Sequence, residues 1–178
     1  MERPQPSEYE AYYGTYIGRV PEGNVLELLE RGIAESRDLL GGIPPTWETY
    51  RYEPGKWSVR EVVAHVIDAE RVFGYRALSI ARADPAPLPS MDQDLWAANA
   101  HAANRPLASL LDELEHLRRS HVAMFAGFDA EVWGRRGVAS GFEFTVRTFP
   151  YILAGHEIHH RRVLEERYLR PLREGAGG

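Results

Sequence analysis

The sequence predicts an all-α protein whose core is a bundle of four long helices. Four stretches place apolar residues at alternating steps of three and four, the spacing that buries one side of a helix. Proline- and glycine-rich breaks separate these stretches, and no pair of alternating stretches indicates two strands. Short extra helices are expected near the N-terminus and in the connection between the second and third long helices.

The first long helix should span residues 21–40, because Pro21 suits a first helical turn and Gly41 and Gly42 end the pattern. Four tyrosines precede it at a spacing that fits a short helix against the bundle. They either pack as a lid or contact a substrate, since tyrosine suits both roles. These residues are Tyr9, Tyr12, Tyr13 and Tyr16.

The second helix should begin after Ser58, because Ser58 and Glu61 form the capping-box pattern. The prolines of residues 43–56 predict a loop before this helix. The helix should end near Asp84, where the tract PAPLP cannot continue it.

The connection 84–105 is long enough to cross along the bundle, and the tract MDQDLWAANAHAA within it indicates a short helix. Pro106 should open the third long helix, in which leucines recur at the spacing of a heptad repeat. We expect a glycine-punctuated loop at 134–141 and a fourth helix capped by Thr145. The tail from Pro171 is expected to fray.

Composition limits the class of protein. The 178 residues predict a single domain, 1–178, with its core at about 20–169. The chain has no cysteine, so disulfides and thiolate metal sites are excluded, and a metal would need His, Asp or Glu ligands. The net charge of -5 gives no electrostatic basis for binding nucleic acid. Without an apolar run of membrane-spanning length or a secretory leader pattern, we expect a cytoplasmic protein.

The fourth helix carries the strongest functional signal. Its core-facing positions should be Val146, Phe149, Leu153, His156, His160 and Val163. His156 and His160 are four residues apart, so their side chains lie one above the other on the same face. Two imidazoles on an apolar face are costly without strong partners, and a metal ion supplies such a partner. Buried histidines held by hydrogen bonds are the alternative.

A stable site needs a third ligand from another helix. His65 lies on the flank of the second helix's apolar face and is the best candidate. His121, on the third helix, is the rival, although a lone core histidine is its simpler interpretation. His159 should lie at the rim as a group that supports the ligands or faces a substrate. His101 is expected on a loop and His116 on a solvent-exposed helix face, so neither should belong to the site.

A nucleophile elbow and a glycine-rich phosphate loop are missing from the sequence. The pentad HEIHH has the letters of an HExxH motif, but Glu157 is expected to point away from the apolar face, so we do not expect it to act as the base of such a motif. Asp68 and Glu70 could accept hydrogen bonds that orient His65. A solvated surface carboxylate is the alternative for Glu70.

Two ordered tracts, WSVREVVAHVIDAERVF and TVRTFPYILAGHEIHHRRVL, resemble the DinB/YfiT-like superfamily of bacterial metal-binding four-helix proteins. The tracts YYGTYIGRVPEG and DQDLWAANA are similar to its YfiT-type branch, and the likeness covers residues 9–169. The resemblance implies an up-down-down-up bundle with one divalent ion on His65, His156 and His160. It also implies a homodimer.

Characterised enzymes of this superfamily include thiol S-transferases and a thiol-dependent isomerase. The resemblance therefore implies a metal-dependent thiol transferase or hydrolase acting on a small molecule. Its cofactor would be a divalent ion, with zinc and nickel the first candidates, and a low-molecular-weight thiol would be a cosubstrate. Three-imidazole sites accept several first-row ions, so the sequence does not fix the metal. The alternatives are a bundle with a structural or sensory ion and a helical interaction module without a metal.

Overall fold

The computed structural model describes residues 1–175 and contains the four predicted long helices. Their bounds are α2 Val25–Leu40, α4 Val59–Ala81, α6 Leu107–Ala126 and α8 Thr148–Val163. The shorter helices are α1 Gly14–Ile17, α3 Pro45–Glu48, α5 Gln93–Asn99, α7 Ala130–Gly134 and α9 Arg170–Gly175. Single 3₁₀ turns occur at Pro6–Glu8, Ala11–Tyr13 and Ala102–Asn104, and a π-helical segment, Leu164–Leu169, joins α8 to α9.

The long helices run up, down, down and up. Arg37, in the last turn of α2, pairs with Asp112 near the start of α6 at 2.6 Å, so these helices are antiparallel. Phe73, in the second half of α4, lies 6.5 Å from Phe149 at the start of α8, measured between ring centroids. Those two helices are therefore antiparallel as well.

α4 and α6 are parallel. Arg60, at the start of α4, donates to the carbonyl of Ala103 just before α6, at 2.9 Å. Further along both helices, Arg118 Nε donates to Glu70 Oε1 at 2.8 Å. Two consecutive parallel helices need a connection that returns along the bundle, and the segment that carries α5 provides it. The predicted fold class and topology are confirmed.

The apolar core forms two clusters with a polar layer between them. Phe73, Phe125 and Phe149 belong to one cluster, while Val59 and Leu110 belong to the other. Burying a side chain of this size contributes about 1.5–3 kcal/mol, and truncating a fully buried Phe to Ala costs about 3–5 kcal/mol. The polar layer consists of buried histidine and charged side chains: His65, Glu70, Arg118, His156 and Glu157.

The structure contains a β-hairpin, so the expectation of no strand pair was wrong. β1 (Arg136–Ala139) pairs antiparallel with β2 (Phe142–Thr145), with Ala139 opposite Phe142. The turn residues Ser140 and Gly141 have φ of 54° and 83°, and two positive φ values are what a two-residue type I′ hairpin turn requires. The alternating residues around this Ser-Gly pair were the signal for a hairpin.

Several predicted boundaries also need correction. α2 begins at Val25, because the side chain of Asn24 caps it, rather than at Pro21. Thr145 ends β2 and does not cap α8, which begins three residues later. The loop 43–56 contains α3. The tail forms α9 as far as Gly175, and the remaining predicted tail, 176–178, lies outside the described residues.

Two predictions about helix ends hold. Ser58 and Glu61 form the expected capping box at the start of α4. Pro106 is the N-cap of α6. Among residues 1–175, none of the helices combines the length and apolar character that crossing a bilayer requires.

Candidate metal centre

Three histidines from two helices converge in the polar layer. His65 lies on α4, and His156 and His160 lie one turn apart on α8. The Nε2 atom of His156 is 3.1 Å from Nε2 of His65 and 3.1 Å from Nε2 of His160. One nitrogen from each ring lies within 4.8 Å of the other two. The predicted third histidine, His65, thus lies beside the predicted pair.

This arrangement fits a divalent metal ion. Zinc binds imidazole nitrogen at about 2.0–2.1 Å, which places neighbouring tetrahedral ligands about 3.3 Å apart. The two 3.1 Å separations are close to that spacing. Without an ion, the Nε2 atom of His156 would have two hydrogen-bond neighbours at once. A neutral ring nitrogen has either one proton to donate or one lone pair to accept with, so it cannot form a full hydrogen bond to both.

The three imidazoles are neutral, as metal ligands must be. Burial lowers the pKa of His65 from 6.5 to about 4 and that of His160 to about 3. His156 is also buried, and the other two histidines act in the same direction, so its pKa falls well below 6.5. Their lone pairs are therefore available to an ion at neutral pH.

One feature departs from the usual metal site. Nδ1 of His160 is buried and has no hydrogen-bond partner within residues 1–175. Metal-binding histidines usually donate their second N–H to an oxygen, which fixes the tautomer and the ring orientation. Here ring packing orients His160, since its ring centroid lies 4.4 Å from that of His156 and 4.9 Å from that of His159. The other two rings are packed in the same way: His65 contacts Trp57 at 4.8 Å and His156 contacts Tyr16 at 5.3 Å between ring centroids.

The tyrosine-rich N-terminal segment forms one wall of the centre. Gly155 of α8 allows this approach, because a Cβ atom there would lie 2.1 Å from the carbonyl oxygen of Tyr16. The Tyr16 ring then contacts His156 and, at 5.6 Å, His159. Burial and the Tyr12 hydroxyl, 2.9 Å away, raise the pKa of Tyr16, so this phenol stays protonated.

A buried ion network adjoins the histidines. Arg118 of α6 is fully buried and pairs with Glu70 of α4 at 2.8 Å and with Glu157 of α8 at 2.7 Å. Ser36 of α2 donates to the second oxygen of Glu157 at 2.6 Å. The network thus joins all four long helices. Glu157 was expected to point away from the core, and that expectation was wrong because Arg118 provides a charged partner inside it.

His121 belongs to this network and lies outside the histidine cluster. Its Nδ1 atom is 3.0 Å from Glu70 Oε1. The surface alternative for Glu70 was wrong, since this residue is 1% exposed. Its carboxylate orients Arg118 and His121 instead of the predicted His65.

The remaining candidates lie around the rim. Asp68 is half-buried, and burial raises its pKa. The hydrogen bonds formed within residues 1–175 include none between Asp68 and His65. His159 is partly exposed beside Tyr16, in a position that suits contact with a bound molecule. His101 and His116 are exposed, as expected, and neither belongs to the three-histidine cluster.

Two cavities, each of about 250 Å³, reach the histidine cluster. His65 and His156 line the first cavity together with Phe73, Arg76 and a group of tyrosines, Tyr12, Tyr13 and Tyr16. His159 and His160 line the second, which also includes Trp57, Asp94 and Lys56. An ion on the three histidines would therefore be accessible to a small molecule from either cavity.

The fold and the cluster define a helical bundle with a candidate three-histidine metal centre between two of its helices. The chain belongs to the DinB superfamily, whose family model matches residues 28–164, more than half of the sequence. The matched range contains all three histidines. A relative from Oceanobacillus iheyensis, named "Putative metal-dependent hydrolase", is 29% identical over 111 residues. The match covers 61% of this chain and 63% of that protein, so the chain spans less than two thirds of the relative.

Two solved structures share the fold. YfiT from Bacillus subtilis, described as a probable metal-dependent hydrolase with an unusual four-helix bundle topology, superposes with a TM-score of 0.73 at 17% identity. That alignment covers 95% of this chain and 93% of YfiT. A mycothiol-dependent maleylpyruvate isomerase superposes with a TM-score of 0.66 at 13% identity, covering 82% of this chain and 61% of the isomerase. At these identities the likeness establishes the fold alone.

Proposed function

We propose that the chain binds one divalent metal ion through His65, His156 and His160 and uses it to promote nucleophilic attack on a small molecule. The convergence of three neutral Nε2 atoms on two cavities carries this proposal. A divalent ion bound there would act as a Lewis acid and would lower the pKa of a bound water or thiol. Structural zinc sites usually have four protein ligands, whereas three leave one position for a reactant.

Hydrolysis is the first candidate reaction. The names of YfiT and of the Oceanobacillus relative both describe metal-dependent hydrolases. In this chain, the apolar residues around the cluster would limit the entry of bulk water, and Trp57 and Tyr16 would hold the imidazole rings in place. His159 and Tyr16 lie beside the cluster and could donate hydrogen bonds to a bound substrate.

Transfer of a thiol is the second candidate, and the presence of two cavities favours it. One cavity would hold a low-molecular-weight thiol and the other its electrophilic partner, with the histidine cluster in the walls of both. The thiol must come from outside, because the chain has no cysteine. The isomerase that shares the fold is named for its dependence on such a thiol.

The first experiment is metal analysis of protein purified without a histidine tag. We expect one equivalent of zinc or nickel, and we expect His65→Ala, His156→Ala and His160→Ala each to lose most of it. His116→Ala is the matched control, because this histidine is exposed on α6. His101 is less suitable, since its φ of 49° would strain an alanine there. Full metal content in His65→Ala would show that the third ligand is misassigned.

The second experiment separates catalysis from a structural ion. Metal-loaded protein is assayed for hydrolysis of small esters and amides and for conjugation of glutathione or cysteine to an electrophile. Metal-dependent turnover that is lost in His160→Ala and kept in His116→Ala supports an enzyme. A fourth protein ligand in the coordination shell, together with no turnover in either assay, would leave a structural or sensory ion.

A further inference from the structure

Arg76 is a buried cation in the wall of the cavity that contains His65 and His156. The residue is 3% exposed. It lies on α4 eleven residues after His65, which is close to three full helical turns, so the two residues face the same side. Ala69 and Phe73 lie between them on that side and also line the cavity.

Within residues 1–175, the positive charge of Arg76 has no negative partner, since no carboxylate lies within ion-pair distance of its guanidinium. Its Nη2 donates two hydrogen bonds, to the carbonyl of Pro89 at 2.7 Å and to Ser140 Oγ at 2.9 Å, and the guanidinium also faces the hydroxyl of Tyr13. Its guanidinium also stacks over the Phe73 ring at 5.4 Å. These contacts position the guanidinium, but they involve only neutral groups.

The contrast with Arg118 is direct. Arg118 is equally buried and faces two carboxylates. A buried charge is costly unless it is paired, so an arginine held without a counter-charge beside a cavity is poised to receive one. Arg76 is the only charged side chain among the residues that line this cavity, so the cavity carries a positive charge that favours an anion.

We infer that Arg76 is a specificity-determining residue that binds a carboxylate group of the substrate. The inference rests on the proposed function, in which the reacting bond lies at the histidine cluster. Guanidinium binds carboxylate through two parallel hydrogen bonds. A single arginine balances the one negative charge of a carboxylate, whereas a phosphate dianion would need further donors.

The positions of the residues also constrain the substrate. The Cα atoms of His65 and Arg76 are separated by about 17 Å along the helix, given a rise of 1.5 Å per residue. Side chains on a helix lean towards its N-terminus, so the guanidinium lies nearer to the histidines than its Cα atom does. The carboxylate must therefore be several bonds away from the reacting group. Phe73 and Tyr13 would contact the part of the molecule between them.

The test measures binding instead of turnover. The metal-loaded full chain is titrated with 4-fluorophenylacetate and with its neutral amide, and binding is followed by ¹⁹F NMR. We expect the carboxylate to bind at least about 10-fold more tightly than the amide, since hydrogen bonds to charged groups are strong. Arg76→Gln should remove this preference, and Arg76→Lys should restore part of it.

A control variant separates recognition from a general effect of removing an arginine. Arg71→Gln alters an exposed arginine that already pairs with Glu113, and it should bind both probes as the wild type does. A carboxylate preference that persists in folded Arg76→Gln would overturn the inference.

Metal binding is measured separately on the same proteins. If Arg76→Gln keeps its metal and loses the carboxylate preference, both proposals stand. If the wild type binds no metal and the preference still depends on Arg76, the carboxylate subsite stands and the metal-dependent function fails. If the preference is lost in His160→Ala and kept in Arg76→Gln, the ion is the carboxylate receptor and the inference about Arg76 fails.

Discussion

Arg118 Nη1 donates a hydrogen bond to Glu157 Oε2 at 2.7 Å, and both side chains are buried. Glu157 immediately follows His156 in α8. The ion pair therefore fixes the rotation of α8 about its axis, and that rotation directs His156 towards His65. A single orientation of α8 thus places Glu157 in the buried ion pair and His156 in the histidine cluster.

Replacing Arg118 should strongly destabilise the protein. Arg118→Leu leaves Glu70 and Glu157 buried without their cation, and removing one partner of a buried ion pair costs about 3–5 kcal/mol. Urea unfolding measures the loss. Arg119→Leu is the matched control, because the side chain of Arg119 is 72% exposed and, among residues 1–175, pairs only with Glu115. Equal stabilities of the two variants would contradict the role assigned to Arg118.

Gly155→Ala should displace the tyrosine segment from α8. The added Cβ would lie 2.1 Å from the carbonyl oxygen of Tyr16, and forcing atoms into a packed contact costs about 1–3 kcal/mol. Thermal unfolding should show a lower Tm, and the resonances of His156 should shift as the Tyr16 ring moves. Gly42→Ala serves for comparison, since a Cβ atom there meets nothing within 4 Å. An unchanged Tm would show that the segment does not pack closely on α8.

Glu70 should make stability depend on pH in acid. Burial alone would raise the pKa of this carboxyl, but Arg118 and His121 together outweigh burial and lower the pKa from 4.5 to about 2. A carboxyl whose pKa is lowered in the folded state stabilises the protein above its unfolded pKa, and this contribution is lost as the pH falls from 4.5 towards 2. The shift corresponds to about 3 kcal/mol at neutral pH.

The measurement compares wild type with Glu70→Gln by urea unfolding across this pH range. The difference in the free energy of unfolding should be largest above pH 4.5 and should shrink towards pH 2. Glu30→Gln changes an exposed carboxyl on α2 that forms no ion pair within residues 1–175, and its stability should change with pH as that of the wild type does. A difference that stays constant down to pH 2.5 would show that folding does not lower the pKa of Glu70.

The homodimer implied by the family resemblance stays a prediction. Light scattering at micromolar concentration should give twice the monomer mass of 20.2 kDa. A single species at the monomer mass would remove this prediction, and it would leave the proposed metal site intact because all three histidines belong to one chain.

Local patterns in the sequence predicted much of the fold. The capping box of Ser58 and Glu61 and the proline before α6 concern residues within one turn of each other. The pairing of His156 with His160 is equally local, since the helical repeat alone places them on one face. The signal for the hairpin is also local, in the alternation around Ser140 and Gly141, but the glycines of residues 134–141 favour the prediction of a loop.

Contacts between distant parts of the chain decided the rest. His65 and His156 are 91 positions apart, and the 3.1 Å between their Nε2 atoms depends on how α4 and α8 align along the bundle. Residue spacing alone left His65 and His121 as rivals, and tertiary packing separated them by directing His121 to Glu70. The burial of Glu157 likewise depends on Arg118 from another helix. A sequence pattern predicts which side of a helix is apolar, whereas partners on other helices determine whether a charge or an imidazole on that helix can be buried.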